Sequence, residues 1–236
     1  ILMNLLDGII IVNMKKNKKK IICFIPIKKD SERIKSKNFK FIGNKPLFRY
    51  IVDKVSNIKE FDKFIVDTDS KEIQDYCKKK HISFIKRLDY LKSSKANGND
   101  LLKYWMKLEP NFDYYFQLHV TSPFVKIDSI KKCIKEIKIN KKINSIFTAT
   151  KEYSWYWFNE KPINFKKFKL SRSQDLKPII RDITFLYGIS KKEFMKKNSR
   201  IGSKPYPFIV SQKEAVDINE SFDLEFARNL YKKKFK

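Results

Sequence analysis

The 236-residue chain contains only three cysteines, two histidines and five glycines. The cysteines are far apart and show no metal-ligand spacing, which argues against both a structural zinc site and a disulfide framework. Glycine is too rare for a Gly/Ser-rich linker between domains. No apolar run approaches the roughly 20 residues that a membrane helix needs. These absences predict buried free thiols and a cytoplasmic protein without stable membrane insertion.

Arginine is also scarce, because seven of the 53 basic residues are arginines while the formal net charge is +27. A charge of this size favours nucleic acid or an anionic membrane as a partner. The lysines, however, are spread through every segment, which is typical of a solvated surface. We therefore expect no nucleic-acid binding. A basic nucleic-acid-binding module remains an alternative that rests on charge alone.

Apolar strand-like runs alternate with helix-period segments, and this alternation predicts an α/β fold with a mostly parallel twisted sheet and helices on both faces. With 42% hydrophobic residues, the chain can bury a core of one domain. The predicted strands are 21–27, 64–66, 82–85, 114–118, 145–149, 179–189 and 209–211. The predicted helices are 46–57, 70–80, 99–107, 127–138 and 220–231.

Residues 1–20 are predicted to form a disordered or non-native tail ahead of a main domain at 21–232. The apolar run 9–12 precedes a basic segment, which is the reverse of the order in a signal peptide. Met14 is a candidate for the native start, and we expect a chain that begins there to fold and function like the full one.

The loop after the first predicted strand carries Lys28, Ser31, Arg33 and Lys37. A loop at the carboxyl end of a parallel strand is where open α/β sheets hold ligands. Cations gathered there neutralise a polyphosphate, and the serine hydroxyl adds a hydrogen bond. The residues themselves therefore point to a nucleotide.

This loop also begins a set of ordered motifs. Its pattern is Pro-x-Lys-x-x-Ser-x-Arg-x-x-x-Lys-Asn at 26–38, followed by Gly43-Asn-Lys-Pro-Leu47. The later segments are Val66-Asp-Thr-Asp69, Gln117-Leu-His-Val-Thr-Ser-Pro-Phe124, Arg172-Ser-Gln-Asp-Leu-Lys-Pro178 and Ala215-Val-Asp-Ile-Asn-Glu-Ser-Phe-Asp-Leu224. Over about residues 20–232 the set resembles the bacterial cytidylyltransferases that load CMP onto sialic-type acids, which have a Rossmann-like nucleotidyltransferase fold.

The resemblance implies a CTP-dependent enzyme that joins CMP to an acidic acceptor, with a nonulosonic acid preferred, and releases pyrophosphate. The implied catalytic residues are Lys28, Arg33, Lys37 and Asp217. The implied nucleotide contacts are Ser31, Asn38, Arg87, Asn97 and Asn99. The implied acceptor contacts are Gln117, Thr121, Ser122, Arg172, Gln174 and Arg181. A Mg²⁺ site is implied at Asp217 and Asn219.

Several residues depart from the family pattern. Lys28-Lys29-Asp30 stands where sialate enzymes have Arg-Gly-Gly, and Arg33 is closer to the synthetases for Kdo. The motif 217–219 reads Asp-Ile-Asn instead of Asp-x-Asp, so the amide supplies no charge and accepts no proton. Helix capping is the competing role for Asn219. A phosphonate or other small acid as acceptor, and a non-catalytic relative, therefore remain alternatives.

Two further features have competing interpretations. His119 is either a general base or, as we favour, a hydrogen-bonded structural histidine. Five aromatic residues crowd into 153–158, within an insertion at about 151–190. This insertion resembles the arm by which the family forms homodimers and completes the partner's pocket, whereas the alternative is an ordinary core cluster under a long loop.

Overall fold

The computed structural model describes residues 3–6, 9–12, 19–93, 95–169 and 171–234. Strands β1 (Met3–Leu6) and β2 (Ile9–Val12) pair antiparallel in a two-stranded sheet. The remaining residues of 1–18 lie outside the described part, so the tail at 1–20 and the start at Met14 stay predictions. No helix in the described ranges is long and apolar enough to cross a membrane.

The main sheet has seven strands, which are β3 (Ile21–Ile27), β6 (Lys63–Thr68), β7 (Phe84–Lys86), β8 (Tyr114–Leu118), β9 (Ser145–Glu152), β12 (Ile179–Ser190) and β13 (Pro205–Ile209). Short strand pairs lie between them, namely β4 (Phe41–Ile42) with β5 (Lys45–Pro46), and β10 (Trp157–Phe158) with β11 (Lys161–Pro162). The helices are α1 (Leu47–Val55), α2 (Lys71–Lys79), α3 (Gly98–Leu108), α4 (Ile127–Ile139), α5 (Lys191–Lys197) and α6 (Ser221–Lys234).

The strand order is β13-β9-β12-β8-β3-β6-β7. Every neighbouring pair is parallel except the two that β12 makes with β8 and β9. After β3 the chain adds β6 and β7 on one side, and it then returns to add β8 on the other. The crevice outside the carboxyl ends of β3 and β8 is therefore a topological switch point, where α/β sheets bind ligands.

Buried side chains cover both faces of this sheet. One face packs against α1, α2 and α4 through residues such as Ile51, Ile73 and Ile134. The opposite face packs against α3 and α5, with Trp105 stacked on Phe24 at a ring-centroid distance of 4.6 Å. This two-sided core confirms the predicted α/β fold with helices on both faces.

Three predictions about single elements need correction. The last predicted strand, 209–211, lies instead at Pro205–Ile209, where prolines are tolerated because β13 is an edge strand. The predicted strand 82–85 is shifted to Phe84–Lys86. Helix α5 was missed, although Ser190 accepts a hydrogen bond from the Glu193 backbone N–H, the start signal of a helix. The three cysteines are free and buried, as predicted.

Candidate active site

The cationic loop predicted to hold phosphates follows β3 directly, and two hydrogen bonds stabilise its conformation. Asn38 is buried and its Nδ2 donates to the carbonyl of Lys28 at 2.8 Å. The backbone N–H of Lys29 donates to Asp69 Oδ1 at 2.7 Å, which ties the loop to the end of β6. The loop is therefore held in a fixed shape at the switch point.

A small apolar cluster connects this loop to the segment that carries Asp217. Ile34, between the two cations Arg33 and Lys37, packs with Ile218 and with residues of α6. Full burial of an isoleucine contributes about 1.5–3 kcal/mol, so this contact fixes the distance between the loop and residues 217–219. Lys37 Nζ also donates to the carbonyl of Ile218 at 2.8 Å.

Arg33, Asn219 and Asp217 form one hydrogen-bonded chain. Arg33 Nη2 donates to Asn219 Oδ1 at 2.7 Å, and Asn219 Nδ2 donates to Asp217 Oδ2 at 2.6 Å. The backbone N–H groups of Asn219 and Glu220 both donate to Asp223 Oδ2, at 2.9 and 2.8 Å. Asp223, rather than the side chain of Asn219, thus satisfies the backbone ahead of α6, and the amide of Asn219 bridges Arg33 and Asp217.

The second oxygen of Asp217 has no hydrogen-bond partner among the described residues although it is buried. A buried carboxylate oxygen without a partner is costly, and a hard cation is the ligand that removes this cost. Asp217 therefore fits the predicted Mg²⁺ site. Asn219 fits it less well in this arrangement, because its oxygen already accepts from Arg33.

Two cavities meet at Arg33. The first, of about 550 Å³, is lined by Lys28, Asp30, Ser31, Glu32, Arg33, Lys37 and Lys92. The second, of about 880 Å³, is lined on one side by Arg33, Asp217 and Asn219, and on the other by residues from the start of β12 and from α6. A group bound in the first cavity can thus meet a group bound in the second beside Arg33.

Burial lowers the pKa of Lys37. Desolvation lowers the pKa of its ammonium group, and the neighbouring Arg33 lowers it further, while Asp217 and Asp223 act in the opposite direction. Two cations held this close together are stabilised by an added anion, so the local charge favours a phosphate ligand.

An irregularity in β12 supplies a neighbour of Asp217 that the sequence did not reveal. The pairing of β12 with β9 shifts between Asp182 and Tyr187, and Thr184 there adopts a φ of 54°. A positive φ is unfavourable for a β-branched residue. Thr184 Oγ1 donates to Asp217 Oδ2 at 3.3 Å, and its backbone N–H donates to Asp182 Oδ1 at 2.7 Å.

The residues predicted to bind the nucleoside are engaged within the protein. Arg87 is 2% exposed and forms a buried ion pair with Asp67 at 2.9 Å, while Trp105 Nε1 donates to the other oxygen of Asp67. Burial is the largest cause that raises the pKa of Asp67. Asn97 caps α3, and Asn99 Oδ1 accepts from the backbone of Arg200. These contacts show how the residues are held, and their nucleotide role stays a prediction.

The predicted acceptor residues divide into two groups. Gln117, Thr121 and Ser122 lie at the carboxyl end of β8, and the carbonyl of Thr121 accepts from the Ile218 backbone N–H at 2.9 Å. Arg181 lines the larger cavity and pairs with Glu152. The other two predicted acceptor residues, Arg172 and Gln174, are exposed on the arm and line neither cavity. Arg172 forms an ion pair with Asp175 at 2.8 Å.

His119 follows β8 directly and lines neither of the two cavities. Its Nε2 is buried and has no hydrogen-bond partner among the described residues, so neither a base nor a hydrogen-bonded structural histidine is established. Burial and then the charge of Arg200 lower its pKa to about 4. The imidazole is therefore neutral at pH 7. Arg200 is the second residue that sequence reasoning missed, because it follows α5 without any recognisable motif.

The arm leaves β9 at Glu152, forms the β10–β11 hairpin and returns as β12. Several of its large apolar side chains are exposed, up to 95% for Phe168, whereas Leu176 is buried. Others at least two-fifths exposed are Tyr153, Trp155, Trp157, Phe158 and Ile163. This exposure argues against the alternative of an ordinary core cluster.

Known proteins similar to this chain agree with the motifs. An N-acylneuraminate cytidylyltransferase of Escherichia coli O18:K1:H7 is 22% identical over 227 residues, which cover 91% of this chain and 53% of the relative. A pseudaminic acid cytidylyltransferase of Campylobacter jejuni subsp. jejuni serotype O:2 is 28% identical over 230 residues, which cover 90% of this chain and 97% of the relative. The chain spans about half the length of the N-acylneuraminate enzymes that it matches.

Among solved structures, a CMP:2-keto-3-deoxy-manno-octonic acid synthetase complexed with CTP has a TM-score of 0.68 at 12% identity, and the match covers 92% of this chain and 100% of that one. This likeness supports the fold. The sequence model of the family described as "Cytidylyltransferase" matches residues 22–226. The predicted family is thereby confirmed, and the chain belongs to the cytidylyltransferases.

Proposed function

We propose that the protein transfers CMP from CTP to a nonulosonic acid and releases pyrophosphate. The observation that carries this proposal is the meeting of two cavities at Arg33, one lined by cations and the other by Asp217 and the start of β12. The names of the relatives, which act on N-acylneuraminate and pseudaminic acid, support the choice of acceptor.

In this proposal the triphosphate lies against Lys28, Ser31, Arg33 and Lys37. An acceptor hydroxyl in the larger cavity attacks the α-phosphorus, the bond to the β-phosphate oxygen breaks, and the hydroxyl proton leaves to solvent. Arg33 touches both cavities, so its planar fork can hold the phosphate at which the two substrates meet. Lys37 stabilises the charge that develops on the departing pyrophosphate.

We assign Mg²⁺ to Asp217, whose buried oxygen has no partner among the described residues. When bound, the ion neutralises phosphate charge. We further propose a cytoplasmic homodimer in which exposed aromatic residues of the arm are covered by the second copy. The arm residues Arg172 and Gln174 then face the partner's acceptor site, which agrees with their absence from the lining of the two cavities of their own chain.

The direct test is pyrophosphate release from CTP and Mg²⁺ with a panel of acids that includes pseudaminic acid, N-acetylneuraminic acid, Kdo and a small hydroxyphosphonate. We expect release with at least one nonulosonic acid, and a product that contains CMP. Pyrophosphate release with the phosphonate but with none of the sugar acids would show that the acceptor is a phosphonate and not a nonulosonic acid. A chain that binds CTP but turns over none of these acids would contradict the proposal and favour a non-catalytic relative.

A further inference from the structure

A buried amide donor and a guanidinium without an acidic partner lie together beside β8. Gln117 is 1% exposed and its Nε2 is buried without a partner among the described residues. The guanidinium of Arg200 bonds to the oxygen of the same amide, Gln117 Oε1. Unpaired buried donors in a folded protein call for an explanation.

The guanidinium of Arg200 is held in place from several sides. Its Nη1 donates to Gln117 Oε1 at 3.0 Å, and its plane lies over the ring of Tyr187 at 3.7 Å from the centroid. The backbone N–H of Arg200 donates to Asn99 Oδ1 at 2.9 Å. Gly98 permits this approach, because a Cβ there would lie 2.3 Å from Arg200 Nη1. Arginine is thus fixed before any ligand arrives, which lowers the entropic cost of binding.

The charge of Arg200 is uncompensated within the described part of the chain. No carboxylate there lies within ion-pair distance of its guanidinium, whereas Arg87, Arg172 and Arg181 each have one. Asp182 accepts instead from the hydroxyl of Tyr187 at 2.8 Å. Among the described residues, the half-buried guanidinium bonds to an amide and stacks on an aromatic ring, so further donors of its fork are available to an anion.

We propose that Arg200, held in place by Gln117, binds the carboxylate of the acceptor. This inference rests on the proposed function and names the group that the site recognises. Arg200 lines neither of the two cavities, but it stacks on Tyr187, whose hydroxyl donates to Asp182 in the wall of the larger cavity. The triphosphate is a poorer occupant, because the smaller cavity already supplies it with the cations Lys28, Arg33 and Lys37.

The test compares the Michaelis constants of the acid and of its methyl ester, using the best acid of the panel above. Wild type should prefer the acid, because only the carboxylate carries the charge that Arg200 recognises. Arg200→Met should raise the KM of the acid about 10- to 100-fold, leave the KM of CTP within about twofold, and abolish the preference over the ester. Arg200→Lys should recover part of the preference, since it restores charge without the fork.

Gly98→Ala provides a second perturbation that keeps Arg200 in the chain. Alanine suits the first turn of α3, so the variant should fold, and its Cβ displaces the guanidinium. We expect a raised KM for the acid and an unchanged melting temperature. Arg228→Met is the matched control, because within the described residues the Arg228 side chain bonds to the carbonyl of Phe41 and not to Gln117 or Tyr187, and the variant should behave like wild type.

An unchanged acid KM in Arg200→Met and Gly98→Ala, with the preference over the ester intact, overturns the inference while the proposed function stands. A rise in the KM of CTP instead of the acid also overturns it. Wild type that releases pyrophosphate with none of the acids overturns the proposed function and this inference together.

Discussion

Replacing Asn219 by aspartate tests the metal site, and the one group that it removes is the amide donor to Asp217. In the wild type, Asn219 Nδ2 lies 2.6 Å from Asp217 Oδ2. The Asn219→Asp variant puts a second carboxylate there. Two unit charges about 3 Å apart repel by about 1.4 kcal/mol in bulk water and by about 5–6 kcal/mol at an effective dielectric constant near 20.

Arg33 offsets part of this repulsion, because it already donates to residue 219 at 2.7 Å. We therefore expect Asn219→Asp to lose about 1–2 kcal/mol of stability in the absence of divalent cations. For a domain of this size, that loss lowers the melting temperature by about 2–8 °C. Mg²⁺ should restore it, because an ion between two carboxylates removes their repulsion.

The assay is thermal unfolding in EDTA and in millimolar Mg²⁺, followed by turnover against magnesium concentration. Asn140→Asp is the matched control, because Asn140 Nδ2 donates to Glu136 Oε1 at 2.7 Å far from the site. The control should lose stability as well, but Mg²⁺ should restore less of it. Equal restoration in both variants, or no loss in Asn219→Asp, would refute the assignment.

The remaining predictions concern the loop, the arm and the buried histidine. Arg33→Ala and Lys37→Ala should each weaken CTP binding about 10- to 100-fold, as measured by calorimetry. Unchanged CTP affinity in both variants would show that the phosphates do not bind in this cavity. Deletion of residues 155–170 should give an inactive soluble monomer by light scattering, and a monomeric intact protein would contradict the proposed dimer. The pKa of His119 is about 4 when folded against an ordinary 6.5, so its stability contribution is complete above pH 6.5 and falls toward pH 4. His119→Gln should reduce that acid-induced loss, whereas His81→Asn, at an exposed position, should not.

Asp217→Ala should abolish turnover in the assay used for Asn219→Asp, because it removes the only charged oxygen of the motif 217–219. Asn219→Ala should retain part of the activity, since water can replace a neutral amide at magnesium. Equal loss in both would mean that the bridge from Arg33 to Asp217 is itself essential.

Local signals in the sequence predicted those parts of the candidate site that lie on one continuous segment. The loop at 28–38 follows a buried strand, and its charges predict a phosphate site before any partner is known. Arg200 could not be found in this way, because its partners Gln117 and Asn99 are 83 and 101 positions away. Only the packing of α3 and α5 on one face of the sheet brings them together.

Dependence on distant residues also explains why the sequence did not predict the positive φ of Thr184 or the position of β13. The positive φ of Thr184 arises from a change of register between two long strands, which depends on both strands at once. The prolines of β13 disfavour a strand in the sequence, and they are tolerated only because β13 occupies an edge. Asn219 was predictable as a site residue, but its contact with Arg33 spans 186 positions.

Strand β12 is continuous from the arm into the middle of the sheet, and it carries Arg181, Asp182 and Thr184 on the way. In the proposed homodimer, the partner contacts the arm from which this strand leads to the wall of the larger cavity and to Thr184, the neighbour of Asp217. We therefore expect specific activity to depend on protein concentration.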